Sequence, residues 1–230
     1  MKRWLLRPLA RLPFWIRIPV VLYLGIHLLF ATALVGLRFI NPPTTGVQIQ
    51  RRVEALLHWK DYRKRSTFVP LGRISPNLQH AVIAAEDGRF YRHYGIDWQQ
   101  VEIVLQEAAE TGEAPRGAST ITQQLVKNLF FTTHRNPVRK ALEYTLAPMA
   151  NVILGKRRVL ELYLNVVEWG PGVWGAEAAA QYHYKTRAAA LDRDQSARLA
   201  ACLPSPLRRR PERMDDYSAI IHGRMAQLGW

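Results

Sequence analysis

Residues 116–128 have the sequence Arg-Gly-Ala-Ser-Thr-Ile-Thr-Gln-Gln-Leu-Val-Lys-Asn, and this stretch decides the fold class. Thr120 and Gln123 match the pattern that begins many helices, in which two side chains bond each other's backbone N–H groups. After this start, apolar residues recur at helical spacing, at Ile121, Leu125 and Leu129. The stretch therefore predicts an amphipathic helix with one buried face.

The opposite face of this predicted helix is polar. Ser119, Gln123 and Lys127 follow one another at intervals of four residues and form a ridge that ends in a cation. Gln124 and Asn128 form a second ridge beside it. These amide, hydroxyl and ammonium groups suit a sugar that bears a phosphate. The spacing is equally consistent with a solvated polar face opposite a core stripe.

Helical patterns continue on both sides of this segment. Helix starts are predicted at Ser75-Pro76, at Asp97 with Gln100, and at Asn136-Pro137. We expect the last of these helices to run toward Gly155 with a kink at Pro148. Further helices are predicted at 53–59, 159–167, 175–184, 192–203 and 217–228. Because no stretch alternates convincingly between apolar and polar residues, the sequence predicts a mainly α domain.

A second polar stretch is residues 84–95, Ala-Ala-Glu-Asp-Gly-Arg-Phe-Tyr-Arg-His-Tyr-Gly. Glu86 ends an apolar helical face and lies just before a glycine turn. Shielding by apolar neighbours would raise the pKa of this carboxyl, as a general base or acid near neutrality requires. The alternative is an ordinary acid at a helix end, paired with Arg89 or Arg92.

A third cluster lies in residues 135–143, Arg-Asn-Pro-Val-Arg-Lys-Ala-Leu-Glu. On a helix, Arg139 and Lys140 lie four and three residues before Glu143. This pattern is typical of a surface ion pair, which contributes at most about 0.5 kcal/mol. With Arg135 it also suits three cations around an acid that bind a diphosphate or its metal.

The N-terminal part has the composition of a membrane anchor. Residues 18–37 contain no Asp, Glu, Lys or Arg, and a helix of this length spans about 30 Å, so we expect a transmembrane anchor at 18–40. The basic residues of 1–17 predict a cytoplasmic N-terminus. A cleaved signal peptide is the alternative, since Ala31-Thr32-Ala33 resembles a cleavage site. His27 is expected to contact a neighbour or the backbone.

The 230 residues allow this anchor, a linker and membrane-proximal segment at 41–73, and one domain at 74–230. The 32 Lys and Arg against 18 Asp and Glu give a formal charge of +14. Such a charge favours nucleic acid, an anionic membrane surface or phosphate-bearing substrates, without choosing among them. The single cysteine, Cys202, excludes an intrachain disulfide, and its apolar neighbours indicate a small core residue.

Together these stretches resemble glycosyltransferase family 51, the peptidoglycan glycosyltransferases. Five blocks between about Ser75 and Pro211 occur in the family's order, although Ala118 stands where a second glycine is common. Because the chain ends at Trp230 with no transpeptidase domain, the resemblance is closest to the monofunctional biosynthetic transglycosylases. The blocks are Glu86-Asp87 with Phe90, His93 and Gly95; residues 117–128; Arg139-Lys140 with Glu143; Lys156 with residues 160–165 and Gly170; and residues 200–206.

The resemblance implies a lysozyme-like, mostly helical domain with a smaller membrane-facing lobe. It implies that a glycan strand on a lipid diphosphate is the donor and that lipid II is the acceptor, joined by a β-1,4 bond with inversion. Glu86 aligns with the catalytic base that deprotonates the acceptor 4-hydroxyl. Glu143 aligns with a second catalytic glutamate, which assists at the donor diphosphate or orients its cation ligands.

The resemblance also implies binding residues, a cofactor and partners. A divalent cation, Mg²⁺ or Mn²⁺, is expected to bind mainly through the substrate diphosphate. Expected partners are lipid II, the lipid-linked glycan strand, the inner membrane and cell-wall synthesis or division proteins, with no nucleic acid; the domain is expected on the periplasmic side. The implied substrate-binding residues are Ser119, Gln123, Gln124, Lys127, Asn128, Arg135, Arg139 and Lys140.

Two other functions remain open at this point. A lysozyme-like lytic enzyme also uses a glutamate at a helix end, but it has no need of cations around a diphosphate. A non-catalytic membrane scaffold for wall synthesis would not depend on Glu86. A lytic enzyme would release fragments from finished glycan strands, whereas a glycosyltransferase would make polymer from lipid II. A scaffold would keep its cellular role when Glu86 is replaced by Gln.

Overall fold

The computed structural model describes residues 13–114, 117–134 and 136–230. Within these residues the chain is mainly helical, as predicted, with nine α-helices and three very short strands. The helices are α1 (Phe14–Phe39), α2 (Gly46–Leu57), α3 (Pro76–Glu86), α4 (Trp98–Thr111), α5 (Ile121–Phe130), α6 (Pro137–Val166), α7 (Ala176–Tyr184), α8 (Arg193–Cys202) and α9 (Asp215–Gln227). The strands are β1 (Arg65–Ser66), β2 (Glu168–Gly170) and β3 (Val173–Trp174).

Helix α1 differs from the other helices in its burial. It is 26 residues long, and 6% of its most apolar window is buried inside the protein. In the described ranges it is the one helix that is long and apolar enough to cross a membrane. The core helix of a soluble protein would be mostly buried, so this exposed apolar surface fits a membrane anchor.

Helix α1 packs along α6. The Phe30 ring lies 4.9 Å from the ring of Phe130 and 5.7 Å from that of Phe131, measured between centroids. His27 Nε2 is 2.9 Å from Thr145 Oγ1, and Nδ1 is 2.9 Å from the carbonyl oxygen one turn earlier in α1. The expectation that His27 contacts a neighbour or the backbone is therefore confirmed on both counts.

The small sheet has the strand order β1-β3-β2. Strand β1 runs parallel to β3, and β2 runs antiparallel to it, so the sheet joins the segment after α2 to the end of α6. Trp169 and Trp174 in this sheet are fully buried. The sequence did not predict these strands because two or three residues are too few to show an alternating pattern.

The core is formed by helices packed on one another. Helix α5 packs on α6, while α3 packs on α8 and α9. Leu78, Leu125, Leu146 and Leu160 are fully buried in one cluster. Cys202 is also fully buried, and burial raises the pKa of its thiol to about 12, which agrees with the predicted core residue.

The predicted helix starts at Asp97, Thr120 and Asn136 are confirmed, because each side chain accepts a hydrogen bond from a backbone N–H of the first turn. Ser75 precedes α3 as predicted, but it does not cap the helix. Its hydroxyl donates instead to the carbonyl of Leu191 at 2.8 Å. A tertiary contact has therefore replaced the local one.

Two helical predictions need correction. Helix α2 spans Gly46–Leu57, so it begins earlier than the predicted helix at 53–59. The kink in α6 lies at Gly155, where φ is 73° and ψ is 158°, and not at Pro148. Glycine adopts this left-handed φ without the steric cost of a Cβ, so it absorbs the change of direction between the two halves of α6.

Candidate active site

Glu86 is the last residue of α3, and its side chain is partly buried against α5. Its Oε2 accepts a hydrogen bond of 2.6 Å from Gln124 Nε2. The alternative pairing with Arg89 is not formed, since Arg89 Nε lies 3.3 Å from a carboxylate oxygen of Asp97. Within the described part of the chain, an uncharged amide is thus the direct partner of this acid.

Burial raises the pKa of Glu86. The hydrogen bond from Gln124 and the positive charges of Lys127 and Arg209 act in the opposite direction and favour the carboxylate. The carboxyl therefore binds a proton more readily than an exposed glutamate does. This property is the one that a general base working near neutrality needs.

Glu86 opens into a cavity of about 400 Å³. The end of α3, the loop before α5 and the C-terminal half of α9 form its walls. Asp97, Ser119 and Arg224 are among the residues that line it. The acid is thus accessible to a ligand from one side while α5 shields it on the other.

Asp87 fixes the position of Glu86. Its Oδ2 accepts a hydrogen bond of 2.9 Å from the N–H of Ile121, the first residue of α5. Its Oδ1 lies 2.9 Å from His93 Nε2, and both residues are buried. Asp87, the residue after Glu86, is therefore hydrogen-bonded to α5, the helix that carries Gln124.

The donor atoms of Asp87, His93 and Asp97 lie within 4.8 Å of one another, a spacing that a metal ion could use. These atoms already have protein partners, however. His93 bonds Asp87 through Nε2 and accepts from the N–H of Gly95 through Nδ1, and Asp97 faces Arg89. The cluster accordingly serves as a structural tie beneath the cavity.

The two neighbouring glutamines have different environments. Gln123 is 1% exposed, and its side-chain oxygen accepts from the N–H of Thr120 in a capping box. Gln124 joins α3 to α6, because its amide donates to Glu86 and accepts a hydrogen bond of 2.9 Å from the hydroxyl of Tyr163. The predicted polar ridge is therefore corrected: Gln123 is part of the fold, and Ser119 lies before the helix begins.

Glu143 is 3% exposed, so its ion pairs are not the surface pairs that spacing allowed. Arg139 Nη1 bonds one of its oxygens, and Lys140 Nζ lies 3.4 Å from the other. Arg139 also donates to the carbonyl of His134, and Lys140 donates to Ser119 Oγ at 2.9 Å. The structure thus shows a buried acid with two cations beside it; Arg135 lies outside the described residues.

Lys127 interacts electrostatically with both acids. Its ammonium is attracted by both Glu143 and Glu86, while Arg139 and Lys140 repel it. Burial, the largest influence, lowers the pKa of Lys127. The charge of this lysine is therefore poorly compensated by solvent, which favours an added anion beside it.

A second cavity, of about 330 Å³, is lined by Gln124. Lys127 and Asn128 line it, together with Arg51 from α2 and Arg208 from the segment after α8. Asn128 donates one N–H of its side-chain amide to the carbonyl of Gln124, which leaves the second N–H and the amide oxygen for a ligand. Glu86 thus lines the first cavity, and its partner Gln124 lines the second.

Four residues near the site had no role predicted from the sequence: Tyr163, Arg209, Arg51 and Arg208. Tyr163 occurs in one of the family-like blocks, but nothing in its spacing indicates a contact with Gln124, 39 residues away. The basic run at 208–210 was visible in the sequence only as part of the overall positive charge.

Comparison with known proteins identifies the family. A family model described as "Transglycosylase" matches residues 52–226. A Brucella suis protein named "Biosynthetic peptidoglycan transglycosylase" is 40% identical over 224 residues, which cover 96% of each chain. Proteins of the same name from Vibrio parahaemolyticus (44% identical, 84% of this chain and 86% of the relative) and Ectopseudomonas mendocina (39%, 100% and 92%) are also similar.

The match spans every element from the second turn of α2 to the end of α9 and includes both acids, Gln124 and the cations around them. The resemblance to the peptidoglycan glycosyltransferases and the mainly α, lysozyme-like fold class that it implied are therefore confirmed. The chain belongs to the transglycosylase family.

Proposed function

We propose that this protein is a peptidoglycan glycosyltransferase that polymerises lipid II into β-1,4 glycan strands and releases the lipid diphosphate. Membership of the family and the names of its relatives support the glycosyltransferase activity. One observation carries the mechanism: Glu86 is a partly buried acid bonded to an uncharged amide, Glu143 is a buried acid bonded to two cations, and both attract the ammonium of Lys127.

In this mechanism Glu86 is the general base. The 4-hydroxyl of the acceptor sugar gives its proton to the Glu86 carboxylate while its oxygen attacks the anomeric carbon of the donor. The bond from that carbon to the diphosphate breaks on the opposite face, so the α linkage becomes a β-1,4 bond. The raised pKa of Glu86 supports this role, because it makes the proton transfer more favourable.

The cations around Glu143 stabilise the leaving group. Negative charge accumulates on the diphosphate as it departs, and preorganised cations lower the energy of that state. Lys127 and Arg139 supply positive charge for this, and Lys140 joins Glu143 to Ser119. Glu143 keeps Arg139 and Lys140 in place through its two ion pairs.

A divalent cation fits this site only with the help of the substrate. Both oxygens of Glu143 are engaged by Arg139 and Lys140, which leaves Glu143 as at most a weak ligand. An ion such as Mg²⁺ takes oxygen ligands and commonly binds through substrate phosphates. When bound there, the ion would neutralise charge on the diphosphate, alongside Lys127 and Arg139.

Helix α1 supports a location at the membrane. Its exposed apolar surface is suited to the bilayer, and the basic residues before it favour a cytoplasmic N-terminus. We place the catalytic domain on the periplasmic face of the inner membrane, where lipid-linked substrates are held in reach. Cell-wall synthesis or division proteins are further partners in this proposal.

The test compares two substrates with one protein. Purified full-length protein in detergent or vesicles is given lipid II in one reaction and finished glycan strands in another. Polymer from lipid II, lost in Glu86→Gln and reduced on chelation of divalent metal, supports the proposal. Fragments from finished glycan would indicate a lytic enzyme instead, and full polymerisation by Glu86→Gln would overturn the role of the base.

A further inference from the structure

Three side chains form a directed chain of hydrogen bonds behind the catalytic acid. The hydroxyl of Tyr163 donates to Gln124 Oε1 at 2.9 Å. The other end of the same amide, Nε2, donates to Glu86 Oε2 at 2.6 Å. Both hydrogen bonds therefore run toward Glu86, and Tyr163 stands at the buried end with no exposed surface.

The direction of this chain depends on the orientation of one amide. If the Gln124 amide were turned over, its carbonyl oxygen would face the Glu86 carboxylate, and two acceptors would repel each other. The turned amide would suit only a protonated Glu86, which can donate to a carbonyl. The orientation of the amide and the protonation state of the acid are therefore linked.

Tyr163 controls that orientation. Within the described residues, Gln124 Oε1 is the acceptor of its hydroxyl hydrogen. Turning the amide would leave this hydrogen without an acceptor in a fully buried place, which is unfavourable. Burial and the nearby charges of Glu86 and Asp87 raise the pKa of Tyr163 well above its ordinary value, so the hydroxyl stays a donor at every working pH.

We propose that Tyr163 is a positioning residue for glycosyl transfer: it holds the Gln124 amide with its NH₂ group toward Glu86 and so keeps the carboxylate form ready to accept a proton. The inference rests on the proposed function, in which Glu86 is the base. Tyr163 itself is too deeply buried to touch the substrate. Its influence passes through Gln124.

Other charged groups also act on Glu86, and they remain in place when the Tyr163 hydroxyl is removed. Asp87 is on its own element, and Arg224 donates to the carbonyl of the preceding residue from α9. The groups that face Glu86 from the surrounding elements are Asp87, Lys127 of α5, Tyr163 of α6, Arg209 after α8 and Arg224 of α9.

The experiment measures kcat/KM for lipid II polymerisation against pH in wild type, Tyr163→Phe and Tyr184→Phe. Tyr184→Phe is the matched control, because the Tyr184 hydroxyl is also enclosed but has no hydrogen-bond partner among the described residues. We expect the acidic limb of the Tyr163→Phe profile to move upward by about half to one pH unit, with the alkaline plateau within about twofold of wild type. The control profile should coincide with wild type.

A double-mutant cycle separates control of the amide from a general loss of packing. Gln124→Met removes the amide, so it should move the acidic limb upward by itself, and adding Tyr163→Phe should then move it no further. The inference is overturned if the acidic limb of the pH profile does not move in Tyr163→Phe or in Gln124→Met. It is also overturned if adding Tyr163→Phe to Gln124→Met moves the limb by as much again. Gln124→Met carries this test even if Tyr163→Phe yields little folded protein.

The same series distinguishes this inference from the proposed function. If Glu86→Gln is inactive while Tyr163→Phe follows the wild-type profile, the base stands and the positioning role of Tyr163 is wrong. If Glu86→Gln polymerises normally, the acidic limb belongs to another group and both assignments are wrong.

Discussion

Glu86 and Glu143 are acids of one site with opposite surroundings. Glu86 meets the uncharged amide of Gln124, whereas Glu143 meets the cations Arg139 and Lys140. Both attract the ammonium of Lys127. The site therefore contains one glutamate beside a neutral partner and another inside a cluster of charges.

The difference matters because a cation in direct contact and an amide affect a carboxylate unequally. The two ion pairs of Glu143 fix the positions of Arg139 and Lys140, so this acid orients its cations. A neutral donor compensates only part of the effect of burial, so the acid can still take up a proton. The two regions are thus suited to proton transfer and to charge stabilisation, respectively.

Replacing Glu86 by Gln should have the largest effect. The amide keeps the shape but cannot accept the proton, so we expect kcat to fall about 100-fold to 10,000-fold with little change in KM. Steady-state lipid II polymerisation measures this. Glu110→Gln, on the exposed face of α4, is the control and should keep full activity; a comparable loss in both variants would argue against a specific role.

The same variant should raise stability at neutral pH. Because the folded-state pKa of Glu86 is raised, ionised Glu86 disfavours the folded state, and this penalty disappears as the pH falls through that pKa toward the unfolded-state value. Thermal unfolding of Glu86→Gln should therefore show a higher Tm than wild type at pH 7 and no gain near pH 4. A lower Tm at pH 7 would contradict the assignment.

Lys127→Met should follow in size. The variant keeps the length of the side chain but removes the charge that faces both acids, so we expect kcat to fall about 100-fold. Lys60→Met, at an exposed position, is the matched control. If the loss appeared in KM for lipid II alone, Lys127 would bind substrate equally in ground and transition states and the comparison of the two acids would need revision.

Glu143→Gln should lower both activity and stability. Removing the negative charge leaves the partly buried Arg139 and Lys140 without their anion, which costs about 3 kcal/mol of unfolding free energy. Polymerisation should fall about tenfold as the cations lose their orientation. Chemical denaturation provides the stability measurement. Equal Tm changes of the same sign in Glu86→Gln and Glu143→Gln would abolish the contrast between the two regions.

The smallest effect is expected at the anchor. His27→Leu removes the hydrogen bond to Thr145, which lies two residues after Glu143 on α6. Such bonds within membranes contribute about 0.6 kcal/mol, so activity in vesicles should fall less than threefold. Thr145→Val should give the same change without adding to it. A loss as large as that of Glu143→Gln would show that α1 itself organises the cationic region.

Local sequence patterns were sufficient to predict a helix start where the start depends on contacts between residues close in sequence. Thr120 and Asp97 begin helices because their side chains bond a backbone N–H three residues away. The prediction at Ser75 was wrong in its detail because that hydroxyl bonds Leu191, 116 residues away. The capping box also explains why Gln123 is buried, since its side chain is committed to the start of α5.

The sequence alone determined a mainly α chain with an apolar N-terminal helix, through helical periodicity, helix-start residues and a run of twenty residues without Asp, Glu, Lys or Arg. The family-like blocks singled out Glu86 and Glu143. Only the tertiary structure decided which partner each acid meets, which glutamine faces the site, and where α6 bends. The physical reason is range: caps and periodicity act over three or four residues, whereas the contacts of Glu86 with Gln124 and of Gln124 with Tyr163 span 38 and 39 residues and depend on how the helices pack.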